Sequence, residues 1–509
     1  MAARSRHRIA IKILSVLALV ALASCELPGR TAAERPAAGG AKQIFVPLAL
    51  SSPAPAPMSY WGINAYISKV ERRRAGDNLW ELAGLARQAG AQWTREELAW
   101  SLIEPARGDR RAIYDGSLRQ AADRGLGIIG MLLTTPAWAR DPSCRPTREA
   151  YWCPPADVQS YARFAAWMVE RYDGDGVADA PGSPRIAAWE VWNEPNDVGN
   201  WSNIGANDDA RKRRYGELMI AAYQAIKAAD PTATVLIGSM YIFDQGCGNG
   251  ICDGINFLSG PGGVFRQVPD ARRAFDVFAT HPFTQPKRPD EPDMPRIITI
   301  EGTTIASRGW LDSPPIGRPD APIWITEMGW CSAPGACFGT TPVSEDQQAN
   351  YLIRGMVIAQ QGGVQHTSWF QLEDAFDDSS RVGGNAALLR NYQRGAYPRK
   401  PAYAAYRTLA TLLGDALPVG AGPVHTHRYD PAQPYTNSGG TYDYRYRRGA
   451  ATIDVLWRPN DSVQVSFPVE PGKPIALVDR DGGRTALAPS GGAVRLTLSE
   501  RPIMIVQGQ

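Results

Sequence analysis

From Tyr60 onward, short apolar runs alternate with longer segments of helical period, and few architectures accommodate that alternation for some 350 residues. The apolar runs are Tyr60–Asn64, Ala91–Arg95, Gly127–Leu133, Ile186–Asn193, Thr234–Gly238, Phe275–His281, Ile323–Glu327 and His366–Phe370. Helical period marks Asn78–Gln88, Gly116–Arg124, Val158–Tyr172, Arg213–Ala229, Glu345–Gln360 and Pro401–Leu413, while the connections after the fifth and sixth runs are poorly marked. About eight β/α rounds, with polar and aromatic clusters just past the strands, favour a (β/α)8 TIM barrel over a doubly wound open sheet. Function is then expected at the carboxyl ends of the strands.

Beyond about Gly414 the pattern changes to short alternating runs, Thr441–Arg447, Ala451–Trp457, Val463–Val469, Ile475–Asp479 and Val494–Leu498, separated by turn residues. This predicts an antiparallel β-sandwich. Of the 15 tryptophans only Trp457 lies there, which favours a sandwich packed on the barrel over a sugar-binding module, since sugar platforms need exposed aromatic faces.

The N-terminus reads as an export signal. Basic Arg4, Arg6, Arg8 and Lys12 precede an uncharged run, Ile13 to Ala23, long enough for a signal-peptide core and too short to cross a bilayer. Leu22-Ala23-Ser24-Cys25 resembles the bacterial lipobox, which implies a signal peptide over 1–24 and lipidation of Cys25. An Ala/Pro-rich tether would follow over 25–57, ahead of a barrel over 58–413 and a sandwich over 414–509. Losing the four leader cations takes the net charge from +3 to −1, which removes the electrostatic case for nucleic acid or anionic lipid. Membrane contact is thus expected only through the Cys25 lipid, in an extracytoplasmic monomer. In such a compartment the six remaining cysteines suggest three close disulfides, Cys144 with Cys153, Cys247 with Cys252 and Cys331 with Cys337, which would fix loop shape. No C-x-x-C pair or H-E-x-x-H helix suggests zinc, and no metal is expected.

Two glutamates carry the chemistry. In the fourth run, Trp189-Glu190-Val191-Trp192-Asn193-Glu194-Pro195, the proline lacks a backbone donor and ends strand pairing just after Glu194. The two-residue strand period puts Glu190, Trp192 and Glu194 on one face, with Glu190 deeper in the barrel. Glu327 closes Ile323-Trp324-Ile325-Thr326-Glu327 at the same rim, across the mouth. Paired carboxylates suit glycoside hydrolysis, and their separation decides the stereochemistry: about 5–5.5 Å for retention, about 6.5–9.5 Å for inversion.

Trp192-Asn193-Glu194-Pro195 together with Trp324-Ile325-Thr326-Glu327 resembles glycoside hydrolase clan A, nearest in layout to families 39 and 5, over roughly Tyr60 to Leu413. The resemblance implies a retaining glycosidase with Glu194 as acid/base, Glu327 as nucleophile and no cofactor, acting on an extracellular poly- or oligosaccharide. It also implies that Asn193 binds the sugar 2-hydroxyl, that Arg95, ending strand two, pairs with the nucleophile, that His281 lies near the reacting centre and that Trp369 is the platform under the cleaved sugar. Trp138 and Trp330 are further candidates for neighbouring subsites. A non-catalytic glycan-binding lipoprotein and a transglycosylase using the same two glutamates remain open.

Two other signals carry no site. Gly125-Leu126-Gly127-Ile128-Ile129-Gly130 fits G-x-G-x-x-G but enters a strand instead of opening a helix. Asp173-Gly174-Asp175-Gly176 looks like a calcium loop but lacks the EF-hand ligands further on, and reads as a surface turn.

Overall fold

The computed structural model describes residues 59–69, 79–205, 208–242, 253–291, 298–333, 340–374, 385–391, 396–430 and 440–508. The leader, the tether, Cys25, Cys247, Cys252 and Cys337 lie outside them.

Eight parallel strands form the barrel: β1 Trp61–Ile63, β2 Trp93–Ala99, β3 Gly127–Leu133, β4 Ala188–Asn193, β5 Thr234–Ser239, β6 Phe278–Thr280, β7 Ile323–Met328 and β8 His366–Trp369. They run side by side in the order β5-β4-β3-β2-β1-β8-β7-β6. Parallel bridges from Leu236 to Val277 and from Met240 to Thr280 join the two ends and close the sheet. The strands are buried on both faces, which is why they read as near-continuous apolar runs. Ile129, Ala188, Leu236, Val277, Ala279 and Trp324 fill the barrel interior, while a larger cluster lies between strands and helices.

The helices used below are α1 Leu79–Gln88, α2 Asp115–Asp123, α3 Val158–Arg171, α4 Asp208–Ala229, α5 Ile300–Asp312, α6 Glu345–Gln361 and α7 Pro401–Leu413. α5 fills one of the two poorly marked connections. The other holds two short helices, Gly254–Ser259 and Val264–Gln267. The capping box of Ser344 and Gln347 fixes the start of α6.

Eight strands follow: β9 Leu417–Ala421, β10 Tyr442–Arg448, β11 Ala451–Trp457, β12 Val463–Pro468, β13 Ile475–Asp479, β14 Arg484–Ala486, β15 Ala493–Leu498 and β16 Ile503–Gln507. Six make an antiparallel sheet, β9-β10-β11-β16-β13-β14, and β12 pairs with β15. Leu456, Phe467, Ile475, Leu496 and Ile505 pack between the two layers. The alternate residues of the large sheet, Ile453, Val455, Trp457, Met504 and Val506, join the barrel's own outer core. Trp457 is fully buried and donates from Nε1 to Asp290 Oδ2 at 2.7 Å.

Candidate active site

Arg95 stands inside β2, which runs on to Ala99, so it does not end the strand as expected. Its side chain is fully buried in the barrel mouth and meets Met131 Sδ, at 2.9 Å from Nη2, and three oxygen-bearing partners. Nε and Nη2 reach Glu190 Oε2 and Oε1 at 2.5 and 3.0 Å, Nη1 reaches Glu327 Oε1 at 2.6 Å, and Nη2 also donates to Asn193 Oδ1 at 2.7 Å. Burial disfavours the guanidinium charge, but Glu190 and Glu327 outweigh it and hold the pKa above the ordinary arginine value. Burial likewise pushes Glu190 up, and Arg95 more than reverses this, so Glu190 lies below the usual carboxylate range. Ser239 adds its backbone N–H to Glu190 at 3.1 Å and its hydroxyl to the same oxygen.

The expected shared face of Glu190, Trp192 and Glu194 does not form. Trp192 takes a left-handed backbone, φ 74°, and turns outward, donating from Nε1 to Asn200 O at 2.6 Å and packing edge-on against Trp201. Asn193 and Glu194, the latter with φ 47°, then both face the mouth. Gly238 on β5 accommodates this bend, since a Cβ there would lie 2.6 Å from Val191 O and 3.1 Å from Trp192 O.

Glu194 and Glu327 are 6% and 8% exposed, and His281 between them is 1% exposed. One oxygen of each carboxylate and one imidazole nitrogen all lie within 4.8 Å of one another. His281 Nδ1 is 2.7 Å from Glu194 Oε1, and Nε2 is 3.0 Å from Thr326 Oγ1. Asn200 Nδ2 donates to Glu194 Oε2 at 2.8 Å, so both oxygens of Glu194 are engaged. Tyr66 donates its hydroxyl to Glu327 Oε1 at 3.3 Å.

The two carboxylates differ electrostatically. Burial lifts Glu194 to about 7, and its direct hydrogen-bonding partners are an amide, an imidazole and the Tyr241 hydroxyl. Burial also raises Glu327, but His281 and the contacting Arg95 oppose the rise. Burial drops His281 to about 4, leaving a neutral imidazole at neutral pH. Burial thus favours the protonated form of both carboxylates, and among the described residues only Glu327 of the two has a contacting guanidinium that favours its charge.

The tryptophans are elsewhere. Trp369 is fully buried, donates to Ala386 O and packs on Trp330, and Trp330 is itself fully buried with Nε1 on Lys287 O. Neither ring has a free face for a sugar, which corrects their expected role. Trp138 is half-buried against Trp100 and Arg107, with Nε1 on Glu104 O. The rings that do surround the carboxylates are Tyr66, Phe370, Phe283 and Tyr241. Phe370 lies 6.0 Å from both Tyr66 and Phe283, and Phe283 6.2 and 6.3 Å from His281 and Tyr241. Sequence reasoning missed these four along with Asn200. The available signal was position, since Phe370 directly follows β8 and Tyr66 and Tyr241 lie just past β1 and β5.

A Cys144–Cys153 disulfide closes part of the Asp141–Pro155 loop, which lies along the segment after β4 through a short ladder of Cys144–Arg145 with Asn203–Ile204. Cys331 is also disulfide-bonded. Asp173, Asp175 and Asp179 form a surface turn whose carboxylates accept the amides of Gly174, Asp175, Gly176 and Val177.

No sequence-family profile matches the chain. No curated protein is similar to it. Solved structures do match. A family 39 glycoside hydrolase from the gut symbiont Bacteroides cellulosilyticus WH2 superposes with a TM-score of 0.62 at 20% identity, over 84% of this chain and 78% of that one. A GH39 β-xylosidase from Caulobacter crescentus gives 0.58 at 15% identity, over 90% and 98%. A GH30 endoxylanase from Clostridium papyrosolvens C71 gives 0.53 at 11%, over 85% and 93%. The fold is that of the family 39 and family 30 glycoside hydrolases. At these identities the likeness speaks for the barrel and sandwich, and the chemistry rests on the site itself.

Proposed function

We propose that this chain is a retaining glycoside hydrolase in which Glu327 is the nucleophile and Glu194 the acid/base. The carrying observation is the pair of buried carboxylates, oxygen to oxygen within 4.8 Å across the mouth, one contacted by Arg95 and the other not. A gap of that size is in keeping with direct attack on the anomeric carbon, the arrangement in which the two carboxyl groups stand about 5–5.5 Å apart. Burying two carboxylates this close together is costly without a use for both protonation states.

In the first step Glu327 attacks the anomeric carbon while Glu194 protonates the departing oxygen. Glycosylation removes the Glu327 charge, so Glu194 then ionises more readily and takes a proton from the water that hydrolyses the ester. Asn193, oriented by Arg95, offers its amide to the sugar 2-hydroxyl. The aromatic rings of Phe370 and Phe283 supply apolar surface for sugar C–H faces. The lipobox-like Cys25 and the export signal support a lipid-anchored, extracytoplasmic site of action on a poly- or oligosaccharide.

The test is covalent trapping. A 2-deoxy-2-fluoro-β-xylosyl fluoride is tried first, because two structural neighbours are a xylosidase and an endoxylanase. Peptide mass spectrometry is expected to find the sugar ester on Glu327. An ester on another residue, or products of inverted configuration by NMR, would defeat the proposal.

A further inference from the structure

The acid/base is buttressed from outside the barrel. Glu194 is faced by the charged or titratable groups of His281, Glu327, Tyr241, Asp197, Arg95 and Arg148, and Arg148 is the member that comes from the disulfide-closed loop. Arg148 does not touch Glu194. Its Nη1 donates to Asn200 Oδ1 at 2.7 Å and its Nη2 to Asp197 Oδ2 at 3.1 Å. A guanidinium has donors only, so Oδ1 must face Arg148 and the Asn200 NH2 must face Glu194 Oε2. Three further features support the arrangement. The Asn200 carbonyl is held by Trp192 Nε1, a Cβ on Gly199 would lie 2.5 Å from Arg148 Nε, and Thr147 reaches Val198 O at 3.3 Å.

We propose that Arg148 is a positioning residue for Glu194, acting through the Asn200 carboxamide that it orients. This rests on the reading of Glu194 as acid/base. With Arg148 in place, Asn200 presents a donor to Glu194, which suits the ionised carboxylate and an unprotonated Oε2. Without it the amide is free to turn its oxygen toward Glu194, an arrangement that needs the carboxyl protonated. The Asp197 charge, also no longer neutralised, acts in the same direction. Arg148 therefore holds Glu194 low enough to serve as base in the second step.

The test is a 13C-NMR titration of the full chain with carboxyl-labelled glutamate, the Glu194 signal being identified by its loss in Glu194→Gln. Arg148→Gln and Asn200→Ala are each expected to raise the Glu194 midpoint by roughly half a pH unit or more, and Arg148→Lys to raise it less. In the double variant the two shifts are expected to fall short of their sum, because they act through one amide. Midpoints unmoved to within about 0.2 unit in folded Arg148→Gln or Asn200→Ala overturn the proposal, and full additivity overturns the route through Asn200. If Arg148→Gln does not fold, Asn200→Ala and Arg148→Lys carry the test. The titration needs no substrate, so it fails separately from the catalytic reading, which falls if Glu194→Gln retains wild-type turnover of p-nitrophenyl β-xyloside.

Discussion

Arg95 gives two of its nitrogens to Glu190 and one to Glu327, so the deeper glutamate holds the larger share of the only guanidinium that contacts either of them among the described residues. Glu190→Gln removes that competing charge. Arg95 then favours the ionised form of Glu327 more strongly, and the acidic limb of the kcat/KM profile is expected to move to lower pH. The same substitution breaks a fully buried ion pair and is expected to cost about 3 kcal/mol of stability by urea denaturation. An unmoved acidic limb in the folded variant would show that Glu190 does not modulate the nucleophile.

The wild-type pH profile should be a bell with its basic side near 7. With Glu194 as the proposed acid, glycosylation needs it protonated, and burial lifts that group to about 7, so kcat/KM is expected to fall as pH rises through that value. The acidic side lies above 4.5, the ordinary glutamate value, because burial raises Glu327 too. His281, at about 4, stays neutral across the active range. A kcat/KM still flat at about pH 9 would take Glu194 out of the acid role.

Glu194 also sets a stability cost. Its folded pKa is raised above the unfolded one, so its contribution is fully present below about pH 4.5 and is lost as pH rises to about 7. Glu194→Gln, which cannot ionise, is expected to match the wild type near pH 4 and to exceed it at pH 8 by up to about 3 kcal/mol. Thermal unfolding at the two pH values reads the difference. Equal gains at both would mean that ionisation of Glu194 is not the source.

Sugar stacking is expected from Phe370 instead of Trp369. Phe370 is half-buried beside Tyr66, whose hydroxyl is on Glu327, whereas Trp369 is sealed against Trp330. Phe370→Ala should lower kcat/KM by about 10- to 100-fold with little loss of stability. Trp369→Ala should cost about 3–5 kcal/mol of stability, as a core truncation. The reverse pattern would return Trp369 to the subsite.

Much of the barrel was legible because a parallel sheet covered on both faces writes its strands as apolar runs, and β3 and α7 match their expected ranges. α5 was obscured by weak helix formers, Gly302, Thr303, Thr304, Ser307 and Gly309, which only packing holds in register. β14 is exposed along its length and has no apolar period to read. In the site, strand endings pointed to Glu194 and Glu327. Strict alternation failed at Trp192, because a left-handed residue reverses the facing of everything after it. Asn200 and Tyr66 reach the carboxylates, and Phe370 reaches Tyr66, from loops whose course tertiary packing decides; position just past a strand marked Tyr66 and Phe370, and nothing local marked Asn200.

The sandwich is part of the enzyme's folding unit, which leads to a last prediction. Asp290, in the loop after β6 that begins at His281, accepts Trp457 Nε1 from β11 and pairs with buried Arg354 from α6. Arg480, following β13, donates to Asn350 of α6 at 2.8 Å, and Arg288 in the His281 loop reaches Pro459 O at 2.7 Å. A chain ending at Leu413 would leave the Arg354–Asp290 pair without its cover and expose the apolar residues that Val455, Trp457 and Met504 bury. Such a truncation is expected to be insoluble. The milder Trp457→Phe should fold and lose about 1–2 kcal/mol, the worth of the one hydrogen bond to a charged group that it removes, Asp290 Oδ2 keeping its bond from Arg354 Nε. Because Asp290 lies on the loop that carries His281, kcat should drop as well. A soluble, fully active barrel ending at Leu413 would make the sandwich an independent appendage.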